Sequence, residues 1–289
     1  MEAQAGDVRL FFDVDGAKVR PEGSEMREVP TLVVVHDGPG ADHTTFKHPA
    51  FGVLLKELVQ IVYFDLRGHG RSEISSPAQW RLDVWADDLR ALCDVLRIES
   101  PVVFGSGFGA LVAVRYASRH PEHPACLVLA RPAARFDPGQ SVAVFERLAG
   151  PMAAEPVVEF YARPNDRTYG NFVVAFMRLF RTMSPEEIGD ALLRAEWSTG
   201  PAVHWYAGEA RTFDLRPDAE RIRVPVLVLA GEDDPLMPIE GAEELVDALD
   251  PELVTYHRYP DTRHSIYADE PRAMEATVAF VEELSRLRA

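Results

Sequence analysis

The chain has 289 residues, 47% of them apolar, and carries a net charge of −16 with a pI near 5.0. That length and apolar content suffice for one large core with an inserted subdomain. The acidity disfavours nucleic acid and anionic membrane surfaces as partners, since both require basic patches.

The N-terminal stretch is acidic and has no apolar signal region, and no run of 18 apolar residues occurs, so a cytoplasmic protein is expected. Cys93 and Cys126 fall within apolar patterns and read as buried, reduced thiols.

In chain order, residues 8–20 predict two strands joined at Asp15-Gly16, and the polar residues 21–30 predict a loop. Thr31 to Val35 is a β-branched buried strand that ends in His36-Asp37-Gly38-Pro39-Gly40. A short helix is expected over Phe51 to Val59. The strand Ile61 to Phe64 then leads into Asp65-Leu66-Arg67-Gly68-His69-Gly70-Arg71-Ser72. Asp83 to Leu96 reads as a helix with an aspartate cap. The strand Val102 to Phe104 and the helix Phe108 to His120 flank Gly105-Ser106-Gly107-Phe108-Gly109, and the strand Cys126 to Ala130 follows.

From 132 to 220 no strand reads clearly. Helical stretches rich in aromatic residues, among them Trp205 and Tyr206, predict a helical insertion. The alternation resumes with the strand Val224 to Ala230, the run Gly231 to Pro238, the helix Gly241 to Leu249 and the strand Leu253 to Tyr259. It ends with a turn holding His264 and the helix Glu270 to Leu287. Alternating strands and helices imply an α/β protein built on a mainly parallel sheet.

Two motifs compete at the glycine turn. Gly105, Gly107 and Ala110 satisfy the dinucleotide fingerprint, but no acidic residue follows at the end of the next strand, where Arg131 stands. Gly105 and Gly109 also fit the outer positions of a nucleophile elbow, with Gly107 where serine belongs and Ser106 one residue early. Four separated segments favour the second motif: the 36–40 turn, the 65–72 stretch, the Gly231 to Pro238 run with Asp234, and His264.

With these segments the chain resembles the α/β-hydrolase superfamily, in particular its proline iminopeptidase branch. It departs from the His-Gly-Gly-Pro-Gly turn of that branch at Asp37 and from its elbow at Gly107. The resemblance implies an eight-stranded, mainly parallel sheet with helices on both faces, a core of 1–131 and 221–289, and a helical cap of 132–220. It implies Asp234 and His264 as acid–base pair, the N–H groups of Gly38 and Phe108 as oxyanion donors, and no metal or organic cofactor.

The substrate it implies is a small ester, lactone or amide. Trp205, Tyr206 and Glu209 are candidates to contact it, and Glu155, Glu159, Glu196 or Glu209 could hold a free amine. Three readings stay open at Gly107: a hydrolase that has lost its nucleophile and regains activity in Gly107→Ser, an enzyme that never forms an acyl intermediate, or a ligand receptor. Ser106 as a displaced nucleophile and a part for Asp37 in the chemistry stay open too. Asp233 is expected to cap the turn beside Asp234, and His36 and His69 to stabilise their turns.

Overall fold

The computed structural model describes residues 1–47, 51, 55–182 and 184–287. Ten strands are present among them: β1 (Glu2–Ala5), β2 (Val8–Asp15), β3 (Val19–Glu22), β4 (Glu25–Glu28), β5 (Thr31–Val35), β6 (Gln60–Phe64), β7 (Val102–Ser106), β8 (Cys126–Ala130), β9 (Val226–Gly231) and β10 (Val254–Tyr259). Eight form one sheet in the order β1-β2-β6-β5-β7-β8-β9-β10. Strands from β6 to β10 in that order pair in parallel, and β1 and β2 add an antiparallel edge.

The α-helices with both ends among the described residues are α1 (Leu82–Leu96), α2 (Phe108–Arg119), α3 (Pro138–Ala149), α4 (Pro151–Ala162), α5 (Asp166–Met177), α6 (Pro185–Arg194), α7 (Thr199–Ala207), α8 (Arg216–Ala219), α9 (Ile239–Ala248), α10 (Ile266–Asp269) and α11 (Pro271–Leu287). No helix among the described residues is long and apolar enough to cross a membrane.

The central strands are buried on both faces, which is why they read as unbroken apolar runs. Along β5, Val33 and Val35 enter one core with α1 and α2, while Leu32 and Val34 enter a second core beside α11. This alternation is the period of two that a strand imposes. Between β8 and β9 the chain forms only helices, α3 to α8, and no strand among the described residues.

Three expectations change at the edges. The N-terminus contributes β1, which the short polar-apolar stretch did not announce. The segment expected to be a loop over 21–30 instead supplies β4 and completes a β3–β4 hairpin. The hairpin buries little, so its residues are polar and carry no strand pattern. The third change concerns α1, which begins at Leu82 after Arg81. Asp83 therefore lies in its first turn instead of capping it, and Glu209 Oε2 takes the Leu82 N–H from across the fold at 3.1 Å. The helix expected from Phe51 includes 52–54, which lie outside the described residues; Phe51 and Leu55 are buried in the second core.

Register sets the location of the site. Val35 pairs with Gly105, Gly105 with Leu129, and Ser106 with Ala130. The residues just beyond β5, β7 and β8 are therefore neighbours at the carboxyl edge of the sheet: Asp37, Gly107 and Arg131. The carboxyl edge is where open α/β sheets present their ligand-binding loops.

Candidate active site

The turn after β7 is very tight. Gly107 has φ 52° and ψ −117°, and its N–H donates to the Ala130 carbonyl at 2.9 Å. A side chain at this φ is strained, and glycine removes the strain. Gly105 and Gly109 serve contact instead of torsion: a β-carbon on Gly105 would lie 2.7 Å from Ala110 Cα, and one on Gly109 would press into the end of β5. The turn therefore lies directly against its neighbours.

Asp37 fills the space above Gly107. Its Oδ1 accepts the Gly38 N–H at 2.8 Å and the Phe108 N–H at 3.1 Å. Those are the two groups expected to face a developing oxyanion. Its Oδ2 lies 3.0 Å from His264 Nε2 and accepts Arg131 Nη2 at 2.9 Å. A β-carbon built on Gly107 would overlap Asp37 Oδ1 and lie 2.6 Å from its Cγ. In effect the carboxylate stands where a side chain from position 107 would project.

His264 Nδ1 is bonded to both oxygens of buried Asp234, at 2.9 and 2.8 Å. Asp234 Oδ1 also accepts the N–H groups of Leu236 and Met237. Asp234 therefore closes its own turn, and Asp233, expected there, pairs with Arg147 at 2.6 Å instead. The Phe176 ring packs edge-on to the imidazole at 5.1 Å.

Arg131 was not singled out for this site by the sequence. It ends β8 with φ 57°, and its guanidinium bonds the His264 carbonyl, Ser106 Oγ and Asp37. The buried Ser106 hydroxyl thus faces Arg131 and not His264, which argues against a displaced nucleophile. An arginine directly after a central buried strand, opposite an aspartate at an oxyanion turn, is the signal that could have found the pair.

Electrostatics follow from these contacts. Burial alone would raise the Asp37 pKa, but Arg131, His264 and the Gly38 N–H outweigh it and hold the carboxylate well below its usual range. Burial and Arg131 both push His264 down, but Asp234 and Asp37 outweigh them, and the imidazole is held above its ordinary value.

The other candidates are placed as follows. Trp205 stacks edge-on against Phe108 at 5.1 Å. With Tyr206, Pro39, Leu111 and Met237 it lines a cavity of about 10 Å³, room for one water at most. A larger apolar hollow of about 390 Å³ shares Phe136 and Tyr206 with it. Glu209, expected near substrate, instead caps α1, and Glu155, Glu159 and Glu196 are exposed.

His36 Nδ1 donates to the Asp37 carbonyl at 2.6 Å, and its Nε2 accepts the Leu66 N–H at 3.1 Å, so it braces two turns. His69 Nδ1 bonds the Arg67 carbonyl, and burial pushes its pKa down to about 3. Ligand atoms of Asp42, His43 and Asp65 lie within 4.8 Å of one another. However, Asp65 Oδ1 already takes His43 N and Nδ1, and its Oδ2 takes Arg71 N–H. The dinucleotide reading loses its footing, because the Phe108 N–H that a pyrophosphate would use is held by a carboxylate.

The sheet order, with the elbow-like turn after β7 and the Asp234–His264 pair, defines an α/β-hydrolase-fold enzyme. Residues 27–271 match the family described as serine aminopeptidase, S33, and the chain belongs to that family. It is 26% identical over 284 residues to a proline iminopeptidase of Levilactobacillus brevis, covering 89% of each chain. It is 27% identical over 289 residues to a monoacylglycerol lipase of Mycolicibacterium smegmatis, covering 93% of this chain and 90% of the other. The crystal structure of a proline iminopeptidase from Mycobacterium smegmatis superposes with a TM-score of 0.74 at 20% identity, over 100% of this chain and 99% of that one. This last likeness is one of fold alone.

Proposed function

We propose that this protein is a hydrolase of small molecules in which the attacking group has moved from the elbow to the preceding loop, so that Asp37 does the work of the missing serine. His264, oriented by Asp234, handles protons, and the N–H groups of Gly38 and Phe108 hold the oxyanion. The helices of 132–220 act as the cap over the site, with Trp205 and Tyr206 on the substrate side.

One observation carries the reading. Asp37 Oδ1 receives both N–H donors while Oδ2 faces His264 Nε2 at 3.0 Å. An acyl or alkyl group carried on Oδ2 would leave Oδ1, then the carbonyl oxygen, already in the oxyanion site. Water deprotonated by His264 would then add to Asp37 Cγ. Relatives named proline iminopeptidase and monoacylglycerol lipase support hydrolysis as the reaction class. The amide or ester implied by resemblance requires both N–H donors to be free for the substrate, and here Asp37 holds them.

The test is turnover of a panel of small esters, lactones and epoxides in water enriched in oxygen-18, with mass analysis of the peptide that contains Asp37. Heavy oxygen should enter Asp37 over repeated cycles, and Asp37→Asn should be inactive. Turnover that leaves Asp37 unlabelled would overturn the reading. A second reading, a hydrolase that has simply lost its serine, is favoured by the left-handed backbone retained at Gly107.

A further inference from the structure

We infer that helix α5 braces both halves of the candidate site, with Tyr169 as positioning residue for the 38–40 turn and Phe176 as positioning residue for His264. The inference rests on the reading of the Gly38 N–H as an oxyanion donor. It goes beyond that reading, because it traces the aim of the donor to a residue far along the chain.

The sequence of α5 turns one face inward. Asn165 caps the helix in a reciprocal pair with Thr168, which fixes where it starts. Tyr169, Phe172 and Phe176 are buried at spacings of three and four, so they share a face. Tyr169 and Phe176 are two turns apart, roughly 10 Å along the axis, and each meets a different functional turn.

At the first, the Tyr169 hydroxyl donates to the Pro39 carbonyl at 3.0 Å. A β-carbon on Gly40 would overlap that hydroxyl, so glycine is what admits the ring. The Asp37 carbonyl accepts from His36, the Pro39 carbonyl from Tyr169, and the Gly40 carbonyl from the Ser198 N–H at 2.9 Å. Two of these three donors come from the helices between β8 and β9. Gly38 itself, at φ 147°, has no side chain to hold its torsions. Its N–H shares a peptide plane with the Asp37 carbonyl, so His36 holds it from one side. Tyr169 holds it from the other through Pro39, whose ring limits rotation. The Phe108 N–H, by contrast, takes its place from the turn after β7, which the Gly107 N–H ties to Ala130.

At the second, the Phe176 ring meets the His264 imidazole edge-on at 5.1 Å. The residues just past α5 clamp the same turn. Arg263 Nη1 donates to the Leu179 carbonyl at 3.0 Å, and Thr182 Oγ1 donates to Asp269 Oδ1 at 3.0 Å. Asp269 Oδ2 in turn accepts the Arg263 N–H at 3.1 Å. The inner cavity beside Phe108 holds one water at most, so a substrate reaches the 38–40 turn only as the helices over it give way. Withdrawal of α5 would break the Tyr169 and Phe176 contacts together. The site is therefore assembled when α5 is seated, which ties catalysis to closure.

The experiment is residue-resolved hydrogen exchange by NMR on the full chain and on Tyr169→Phe, Phe176→Leu and Phe172→Leu. Tyr169→Phe keeps the ring and removes the donor. Exchange of the Gly38 N–H should accelerate about fivefold or more, the worth of one net hydrogen bond, while the Phe108 N–H and the His264 Nδ1–H stay as in wild type. Phe176→Leu should show the reverse, faster exchange at His264 Nδ1 with Gly38 unchanged. Phe172→Leu loosens the same face between the two contacts and should move each probe less than the matching variant does. In turnover of the ester and lactone panel, Tyr169→Phe should lower kcat about tenfold or more with KM little changed, since a misaimed donor is lost from the transition state. An unchanged Gly38 N–H in Tyr169→Phe, or an equal acceleration there in Phe172→Leu, would overturn the role of Tyr169. An unchanged imidazole proton in Phe176→Leu would overturn the brace at His264. Failure of oxygen-18 to enter Asp37 would overturn the attacking role of Asp37 and leave these exchange results standing.

Discussion

Asp37 Oδ2 and His264 Nε2 lie 3.0 Å apart, although 227 positions separate them in the chain. The contact places a carboxylate where a hydrolase of this fold ordinarily presents a hydroxyl. The two departures from the proline iminopeptidase pattern, Asp37 for glycine and Gly107 for serine, are therefore one event in space. A side chain at 107 and the present position of Asp37 exclude each other, because a β-carbon at 107 would lie 2.6 Å from Asp37 Cγ.

That exclusion predicts non-additive behaviour on reversion. Gly107→Ser alone has to displace a carboxylate held by two N–H groups, an arginine and a histidine, and should stay inert toward 4-nitrophenyl esters. Combining it with Asp37→Gly empties the space and frees both N–H donors. The double variant should therefore hydrolyse the ester at least about tenfold faster than either single variant, since neighbouring residues couple. Steady-state assays of the four proteins check this. A single Gly107→Ser variant as active as the double would show that Asp37 does not block the site.

A second prediction concerns protons. Asp37 and Asp234 both favour the charged imidazole, while burial and Arg131 oppose it. Replacing Asp37 by asparagine removes one favourable charge and leaves Arg131 in place, so the His264 pKa should fall. An NMR titration of the imidazole in the two proteins reads this directly, and an unchanged midpoint would contradict the arrangement. The Asp37 carboxylate itself is held below its ordinary value of about 3.9. Its contribution to stability is thus complete above that ordinary value and is lost as pH falls toward the folded-state value. The stability gap between wild type and Asp37→Asn should accordingly shrink between pH 7 and acid conditions, measured by denaturant unfolding.

The central sheet was legible in the sequence because strands buried on both faces must be apolar throughout, and Thr31–Val35 and Cys126–Ala130 match their expected limits. Exposed elements were not, since β3 and β4 bury almost nothing and carry no periodic signal. At the candidate site, Asp234 and His264 could be named from motif order, and they meet as an ion pair at 2.8 Å. The contribution of Arg131 could not be read from the chain. It depends on the register that sets the end of β8 beside the turn after β7, and on a left-handed backbone at a non-glycine residue. Glu209 misled for a related reason: a glutamate in a helical insertion reads as solvent-facing or substrate-facing, whereas only the packed fold reveals a helix terminus within its reach.

Arg131 supplies the last prediction. Its guanidinium reaches Asp37, Ser106 and the His264 carbonyl at once, and its side chain is nearly buried. Arg131→Met removes a cation that offsets Asp37 and leaves a carboxylate, a hydroxyl and a carbonyl without this donor. Breaking a buried ion pair from one side costs about 3 kcal/mol or more, chiefly through the stranded charge. Asp37→Asn in turn deprives Arg131 of the carboxylate it bonds, but removing both together leaves neither partner behind. The double variant should therefore lose less stability than the sum of the two single losses, by about 1 kcal/mol or more. Urea unfolding of the four proteins at neutral pH measures the coupling. Strict additivity would mean that Arg131 braces the turn without sensing the charge on Asp37, and the neutral grouping of Asp37, Arg131, His264 and Asp234 would then fail as an account of the site.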